Sequence, residues 1–533
     1  PLRSDARTGA RTGRRRCRPP SPPRHTRNSP VLMRSSVTAL ALASVLLCSN
    51  DVAGYALGGV SSQRLPHLSS RWHRSSVAPV LSSVSAKPSE PAPGEDENCL
   101  VGKGGDGCVS TTGTVPMAIN LAKNIAGAGV LSLSAGIASF SGAKAAVLPA
   151  TLLLLFLGAV SAYSFSLLAR VVEDNGTDTI RETWSKLFGE RWAIIPDATI
   201  IFECMCAATS FAIIIGETFS SVATLCGARA ALAAPNAWIV LLSLFVLLPL
   251  CLLRDLGSLA FGSILGTSGT VFTAGFMVLR ALDGTYAPGG RFFTSLAAAS
   301  QPRFGGPTKP LNVCILVSLL ATSFLAHFNA PTMYNQLAAP EDGSPKLRRF
   351  NRVVAGGFGL ASLLGALIMS AGFVTFGCAS NGLVLNNYAV ADRLALTARL
   401  GIGLSIIFSY PLNFVGLREG ALALIGKQKQ AARRSWHAAS TVLLLGVMNG
   451  LALVVKDLGA LAAFSGALAG SAIIYIFPAA MFLKSAALQR AKGTDATSGA
   501  PRYQTREVVA NWLMAGLGVL LAIVGGTVSA KAL

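Results

Sequence analysis

From residue 115 the chain alternates long apolar runs with short polar breaks, and the runs are too long and too uniformly apolar to be one face of a water-soluble helix. Windows near the ~20 residues a helix needs to cross hydrocarbon give eleven spans: 115–139, 145–170, 194–221, 237–253, 257–281, 311–333, 351–377, 394–415, 436–455, 458–483 and 507–530. The pattern predicts an all-α, polytopic membrane protein with about 11 transmembrane helices. Two of the spans are interrupted. In span one, residues 120–134 read NLAKNIAGAGVLSLS, placing Gly127, Gly129 and the amide of Asn124 where a span ordinarily carries Leu or Val. Glycine costs about 1 kcal/mol against alanine in a helix, and freed backbone groups in hydrocarbon cost several more. The stretch therefore reads either as a break lining a cavity or as a small-residue face for close helix packing. In span six, His327, Asn329 and Pro331 lie deep in the apolar run 320–334. Proline removes a donor and clashes with the preceding turn, and a polar side chain within a span is costly unless it faces protein or water. Breaks in the first and sixth spans divide the first ten into five plus five, the pattern of an inverted-repeat transporter with its site between the discontinuous helices.

Composition adds two corrections to this picture. The hydrophobic share of 52% against 13% charged residues belongs to membrane proteins, so the net charge of +21 need not mean nucleic acid. Residues 1–89 hold fourteen Arg and Lys against only Asp5 and Asp51, and most of the remaining basic excess falls in loops. No nucleic-acid partner is expected. Arg181, Lys186, Arg191, Lys346, Arg348, Arg349, Arg352, Arg418, Lys427, Lys429, Arg433, Arg434, Lys484, Arg490, Lys492, Arg502 and Arg506 all fall on one side if the domain begins in the cytoplasm, which favours that orientation. The ten cysteines show no Cx2C pair and read as small apolar packers, although Cys99 and Cys108 could close a loop in an oxidising lumen. Neither HExxH, GxSxG nor an acidic cluster appears, so the chain is not read as an enzyme.

The region before the spans reads as a leader. Residues 1–32 are Arg- and Pro-rich without an apolar period, either disordered or untranslated, and Met33 is a plausible start. Residues 33–112 form a targeting region and linker: an apolar run at 37–47 has signal-peptide grammar, and 61–86 is rich in Ser and Arg without an acid, like an organelle transit peptide. A signal followed by a transit peptide resembles the bipartite leader of algae with complex plastids and points to a plastid envelope, with a vacuolar or plasma membrane as the alternative. The competing reading is a Ser/Pro-rich disordered tail. Residues 113–533 are the membrane domain.

Four stretches together, NLAKNIAGAGVLSLS, RDLGSLAFGSILG at 254–266, FLAHFNAPTMYNQL at 324–337 and ARLGIGLSIIFSYPLNFVGLREG at 398–420, resemble the amino acid/auxin permease family, which includes sodium-coupled neutral and vacuolar amino acid transporters. The likeness covers roughly residues 113 to 530 and implies a LeuT-type fold, a 5+5 inverted repeat plus one extra helix. Tyr410, Pro411 and Arg418 match the family's span-eight pattern. Where many animal members carry Glu two residues after the span-six His, this chain has Asn329, so a proton role for that acid does not carry over.

The substrate expected between two such breaks is a small zwitterion. Backbone N–H groups of Gly127, Ala128, Gly129 and Val130, with Asn124 beside them, would hold its carboxylate, while carbonyls of the span-six break from Ala326 through His327 and Phe328 to Asn329 would take its ammonium. Neither break carries an acid, which favours neutral amino acids over Lys or Arg. For His327 the competing reading is a satisfied histidine bridging two helices. Phe324 and Phe328, four apart, would share a helical face and line the side-chain pocket, or else face core or lipid. Ser405 and Ser409 share a face of span eight; the resemblance implies that a span-eight hydroxyl joins Asn124 or span-one carbonyls in holding sodium, whereas bonding back to carbonyls four residues earlier is the alternative. Glu203, mid-span, is the alternative proton site, Glu217 reads as interfacial, and Lys123 as reaching for the cytoplasmic surface. The expectation is a secondary active transporter of amino acids working by alternating access, coupled to sodium or protons and with no other cofactor; an amino-acid sensor of the same fold is the alternative. Membrane lipid and the substrate are the only partners the residues suggest.

Overall fold

The computed structural model describes residues 113–229, 233–253, 261–340, 343–427, 433–455, 457–491 and 504–531. The leader and linker with Cys99 and Cys108, the first part of the 254–266 motif, and Lys429, Lys492 and Arg502 lie outside the described residues. Among the described residues, nine helices are long and apolar enough to cross a membrane, and the pair Thr114–Ile125 and Ala128–Phe140, bent by 45° at its break, adds a tenth. The helix Phe261–Leu282, 22 residues or about 33 Å at 1.5 Å per residue, stands at the fifth expected span. The spans are thus one (the bent pair), two (Lys144–Asp174), three (Glu190–Leu225), four (Pro235–Leu252), five, six (Pro310–Gln336), seven (Lys346–Phe376), eight (Arg393–Leu424), nine (Arg434–Val454), ten (Leu458–Arg490) and eleven (Thr505–Ala530).

Leu148, Leu152, Leu155 and Phe156 on span two, Leu443 on span nine and Leu513 on span eleven are exposed, a placement stable only where the surroundings are themselves apolar. Inside, small residues let helices approach. A Cβ on Gly403 of span eight would lie 2.9 Å from Thr218 Cγ2 of span three, one on Gly420 2.6 Å from Ile201 Cγ1, and one on Gly269 of span five 3.1 Å from the backbone carbonyl of Gly401. Spans three, five and eight are locked together by this absence of side chain. Buried Arg418 adds a polar clamp: its Nη1 donates to Cys251 O of span four and to Thr441 Oγ1 of span nine, both at 3.0 Å. Cys204, Cys206 and Cys251 are buried.

Side-chain contacts sort the loops into two ends. At one, Asn335 Nδ2 reaches Asp178 Oδ1 at 3.3 Å, Arg349 Nε reaches Thr114 Oγ1 at 3.1 Å, and Arg181 pairs with Asp197, which gathers the first basic loops beside the start of span one. At the other, Gly377 takes φ 58°, a conformation open to glycine, and lets Cys378 N–H donate to Arg303 O at 2.7 Å. There Arg280 holds Asp392 through Nε and Nη2 at 2.8 and 2.9 Å, and Tyr286 O–H donates to Asp392 at 3.0 Å. Burial, and next the Asp392 carboxylate, hold the Tyr286 hydroxyl well above the usual phenol range, so it remains a donor.

Candidate functional site

Span one stops being a helix where the sequence places its glycines. Ala126 N–H still bonds Ala122 O at 2.7 Å, Gly127 N–H turns back to Ile125 O at 2.8 Å, and the chain resumes as a tight turn over Ala128–Ser132 before the helix Leu133–Phe140. The opening N–H groups of such a turn, on Ala128 and Gly129, have no partner within it. Gly127 differs from the expectation in one respect: its own N–H is engaged by Ile125 O. Asn124 and Gly127 are exposed, and Ala128 and Gly129 half-buried.

Span six breaks in the same manner. Its first half, Val313–Ser323, ends at Phe324, a turn follows at His327–Asn329, and the second half is Ala330–Gln336. Pro331 sits in the first turn of that second half, where its missing N–H removes no helical bond; the proline starts a helix instead of kinking one. Asn329 N–H donates to Ala326 O at 2.9 Å.

The two breaks meet. A Cβ on Gly129 would lie 3.1 Å from Ser323 Cα and 3.3 Å from Ser323 N, so the turn of span one presses on the backbone where the first half of span six ends. Thr322 Oγ1, next to that point, donates to Ala462 O of span ten at 2.6 Å.

Side chains around the meeting point separate into roles that sequence spacing did not resolve. The ring of His327 is fully buried and turned to span two, where Nε2 lies 3.1 Å from Ser161 O and 2.8 Å from Ser164 Oγ. A carbonyl accepts only, so the proton sits on Nε2. The ring ties the break to span two, with Phe165 edge-on at 5.5 Å, and the residue faces the break through its backbone. Ser161 and Ser164 went unmarked in the sequence, although two hydroxyls three apart in an apolar run were the available signal. Phe324 and Phe328 do not share a helical face, because the chain leaves the helix between them. Phe324 is buried against Phe358, with ring centroids 6.2 Å apart, while Phe328 and Asn329 are half-buried.

Ser405 turns its Oγ onto Gly266 of span five, filling the place a Cβ there would take, and Lys123 Cε lies 3.0 Å from the same point. The half-buried stem of Lys123 thus runs beside spans five and eight. Ser409, one turn further along, is half-buried. Glu203 lies elsewhere, 5% exposed within span three, and accepts a hydrogen bond from Ser465 Oγ of span ten at 2.7 Å. Glu217 accepts from Asn386 Nδ2 at 2.8 Å near the opposite loop.

The comparisons with known proteins agree with this arrangement. Residues 110–529 match the family described as transmembrane amino acid transporter protein. The chain is 26% identical over 400 residues to "Putative sodium-coupled neutral amino acid transporter 11" of Danio rerio, covering 73% of this chain and 83% of that protein. It is 23% identical over 292 residues to "Vacuolar amino acid transporter 5" of Schizosaccharomyces pombe, covering 54% and 66%. Among solved structures, the inward facing conformation of Mhp1 aligns with a TM-score of 0.51 at 14% identity over 79% of this chain and 91% of that one, and the two share the LeuT-type fold. The relatives are transporters and not enzymes. With its family model spanning most of the chain and its helices arranged in that fold, this multi-pass membrane protein belongs to the transmembrane amino acid transporter family.

Proposed function

We propose that the chain is a secondary active transporter of neutral amino acids that works by alternating access. The observation that carries the reading is the abutment of the two breaks at Gly129 and Ser323, which brings the end of the first half of span six against the turn of span one that carries open N–H groups. A zwitterion suits that pair of backbone ends, its carboxylate on the N–H groups of Ala128 and Gly129 and its ammonium on the carbonyls around His327, Phe328 and Asn329. The substrate's side chain would enter past Phe328. Coupling would run either through sodium, with Asn124, Ser405 and Ser409 as its oxygens, or through protons on Glu203. One observation favours protons. Ser465, the partner of Glu203, is followed by Gly466, on which a Cβ would lie 2.9 Å from Thr322 N in the last turn before the span-six break. A change of charge at Glu203 would therefore be felt where the substrate binds.

Counterflow of labelled neutral amino acids into proteoliposomes holding the full chain tests the reading, with sodium and pH gradients imposed in turn. Counterflow of alanine- or leucine-sized substrates is the expected result. Its absence from correctly inserted protein would remove the transporter assignment and leave a sensor of the same fold.

The Ser/Arg-rich stretch behind a signal-like run supports a plastid-envelope address over a vacuolar or plasma membrane. Residues 33–100 fused to a fluorescent protein are expected to label plastids in an alga with complex plastids; secretion or diffuse cytoplasmic signal rejects the address.

A further inference from the structure

Where span five ends, the chain folds back and leaves a basic cavity against the first turn of span eight. Asp283 Oδ1 accepts from Thr285 N–H and Oγ1 at 2.9 and 2.6 Å, Phe292 N–H donates to Thr285 O at 3.0 Å, and a Cβ on Gly290 would lie 2.5 Å from Gly284 O. Residues 283–292 therefore form a tight loop that fixes the backbone from which Arg291 extends. Tyr286, 1% exposed, pins this loop to span eight: its oxygen accepts from Ala389 N–H at 3.1 Å while its O–H donates to Asp392. Between the loop and the helix start lies a cavity of about 350 Å³, lined by Arg280, Arg291, Phe292, Asp392 and Arg393 among others. The guanidinium groups of Arg280 and Arg291 each lie 5.3 Å from the centroid of the buried Phe292 ring, an arrangement that holds both by cation–π attraction.

Three guanidiniums meet one carboxylate in this lining, and that carboxylate is already committed. Asp392 accepts from Arg280 Nε and Nη2, from Tyr286 O–H and, as the cap of span eight, from Leu394 N–H at 3.0 Å, which fills the lone pairs of a carboxylate. Asp283 accepts from Arg280 Nη1 at 2.7 Å. Both acids are thus spent on Arg280. The next charged residue along span eight, Arg399, is itself a buried guanidinium with Asp392 in its electrostatic reach. Arg291 and Arg393 are exposed and pair with no acid among the described residues. We propose that this cavity is a binding site for a small phosphate-type oxyanion, held between Arg291 of the loop after span five and Arg393 at the start of span eight. Each guanidinium fork matches a pair of oxyanion oxygens and binds them by charge-assisted hydrogen bonds, whereas a halide engages no fork in that way. The volume stands at the low end of cavities that hold small molecules, so a phosphate monoester fits as well as the bare ion. A zwitterionic amino acid does not suit the site, because its ammonium would need a carboxylate with lone pairs to spare. The ligand therefore differs from the one expected at the breaks of spans one and six, and the proposal stands apart from the transport reading.

The test is a phosphate titration, which needs no transport. Radioactive inorganic phosphate is titrated onto the purified full-length protein in a maltoside detergent, which carries no phosphate, and followed by scintillation proximity at constant ionic strength. The wild type is expected to bind it saturably, with displacement by glycerol 3-phosphate and none by alanine or by chloride at the same concentration. Arg291→Gln with Arg393→Gln is expected to weaken binding at least tenfold, and Arg291→Lys with Arg393→Lys, which keeps the charge and loses the fork, to fall between the two. Both positions are exposed, and Arg393→Gln alone serves if the double variant fails to insert. The same titration in phosphatidylcholine nanodiscs with and without phosphatidic acid identifies the source of the oxyanion: loss of phosphate binding on adding phosphatidic acid assigns the cavity to a lipid headgroup, and persistence assigns it to a soluble phosphate. No saturable phosphate binding by the wild type, full displacement by chloride, or undiminished binding by the double glutamine variant would each overturn the proposal.

Discussion

Gly129→Val is expected to lower amino-acid counterflow at least a hundredfold in protein that still inserts and runs as a single species. The glycine has no room for a side chain: a Cβ would already stand 3.1 Å from Ser323 Cα and 3.3 Å from its N, and valine adds two further carbons. Those neighbours are backbone at the end of a helix, unable to rotate aside as a side-chain tip would. Overpacking of this kind costs about 1–3 kcal/mol, a load that a bundle of eleven packed helices carries, but the relief must come from moving the two breaks apart. Misplacing binding groups by about 1 Å is enough to cost ~100-fold where geometry sets the rate. Gly127 supplies the contrast, since a methyl there would meet only Asn124 O at 3.9 Å; Gly127→Ala is expected to lose far less. Counterflow by Gly129→Val equal to the wild type would show that the abutting breaks do not hold the substrate.

Glu203→Gln is expected to remove the stimulation of uptake by an inward pH gradient, by tenfold or more, while counterflow at symmetric pH continues. The carboxyl is 5% exposed and accepts from Ser465 Oγ at 2.7 Å. Glutamine keeps an oxygen to accept that bond and nearly the same volume, so folding and substrate binding are left alone. What it loses is the ability to give up a proton and become charged, the event that would load and release the coupling ion from a site enclosed in a span. The measurement is initial uptake with and without the gradient in wild type and variant. Equal stimulation in both would exclude Glu203 as the coupling group.

The sequence by itself determined where the chain crosses the membrane and where it fails to do so as a helix. Length and apolarity place a span because every residue of it must be tolerable in hydrocarbon, and glycines or a proline within such a run are legible because they lower local helix stability whatever surrounds them. The breaks at Gly127 and at His327–Asn329 were therefore readable one position at a time, whereas Pro331, read as a disruption, proved to start the second half of span six. Partnerships across the bundle were not. A span meets lipid on one face and other spans on the other, both apolar, so the periodicity that orients a helix in water is faint here. Which hydroxyl faces which neighbour is then set by crossing angles and by distant glycines. Tertiary structure alone decided that Gly129 rests on Ser323, that the ring of His327 turns to Ser161 and Ser164, that Phe324 and Phe328 part company at the break, and that Lys123 lies over Gly266 beside Ser405. Glu203 was visible as a costly acid in an apolar run; its partner Ser465, 262 residues away, was not, because a single hydrogen bond between spans leaves no periodic trace in either of them.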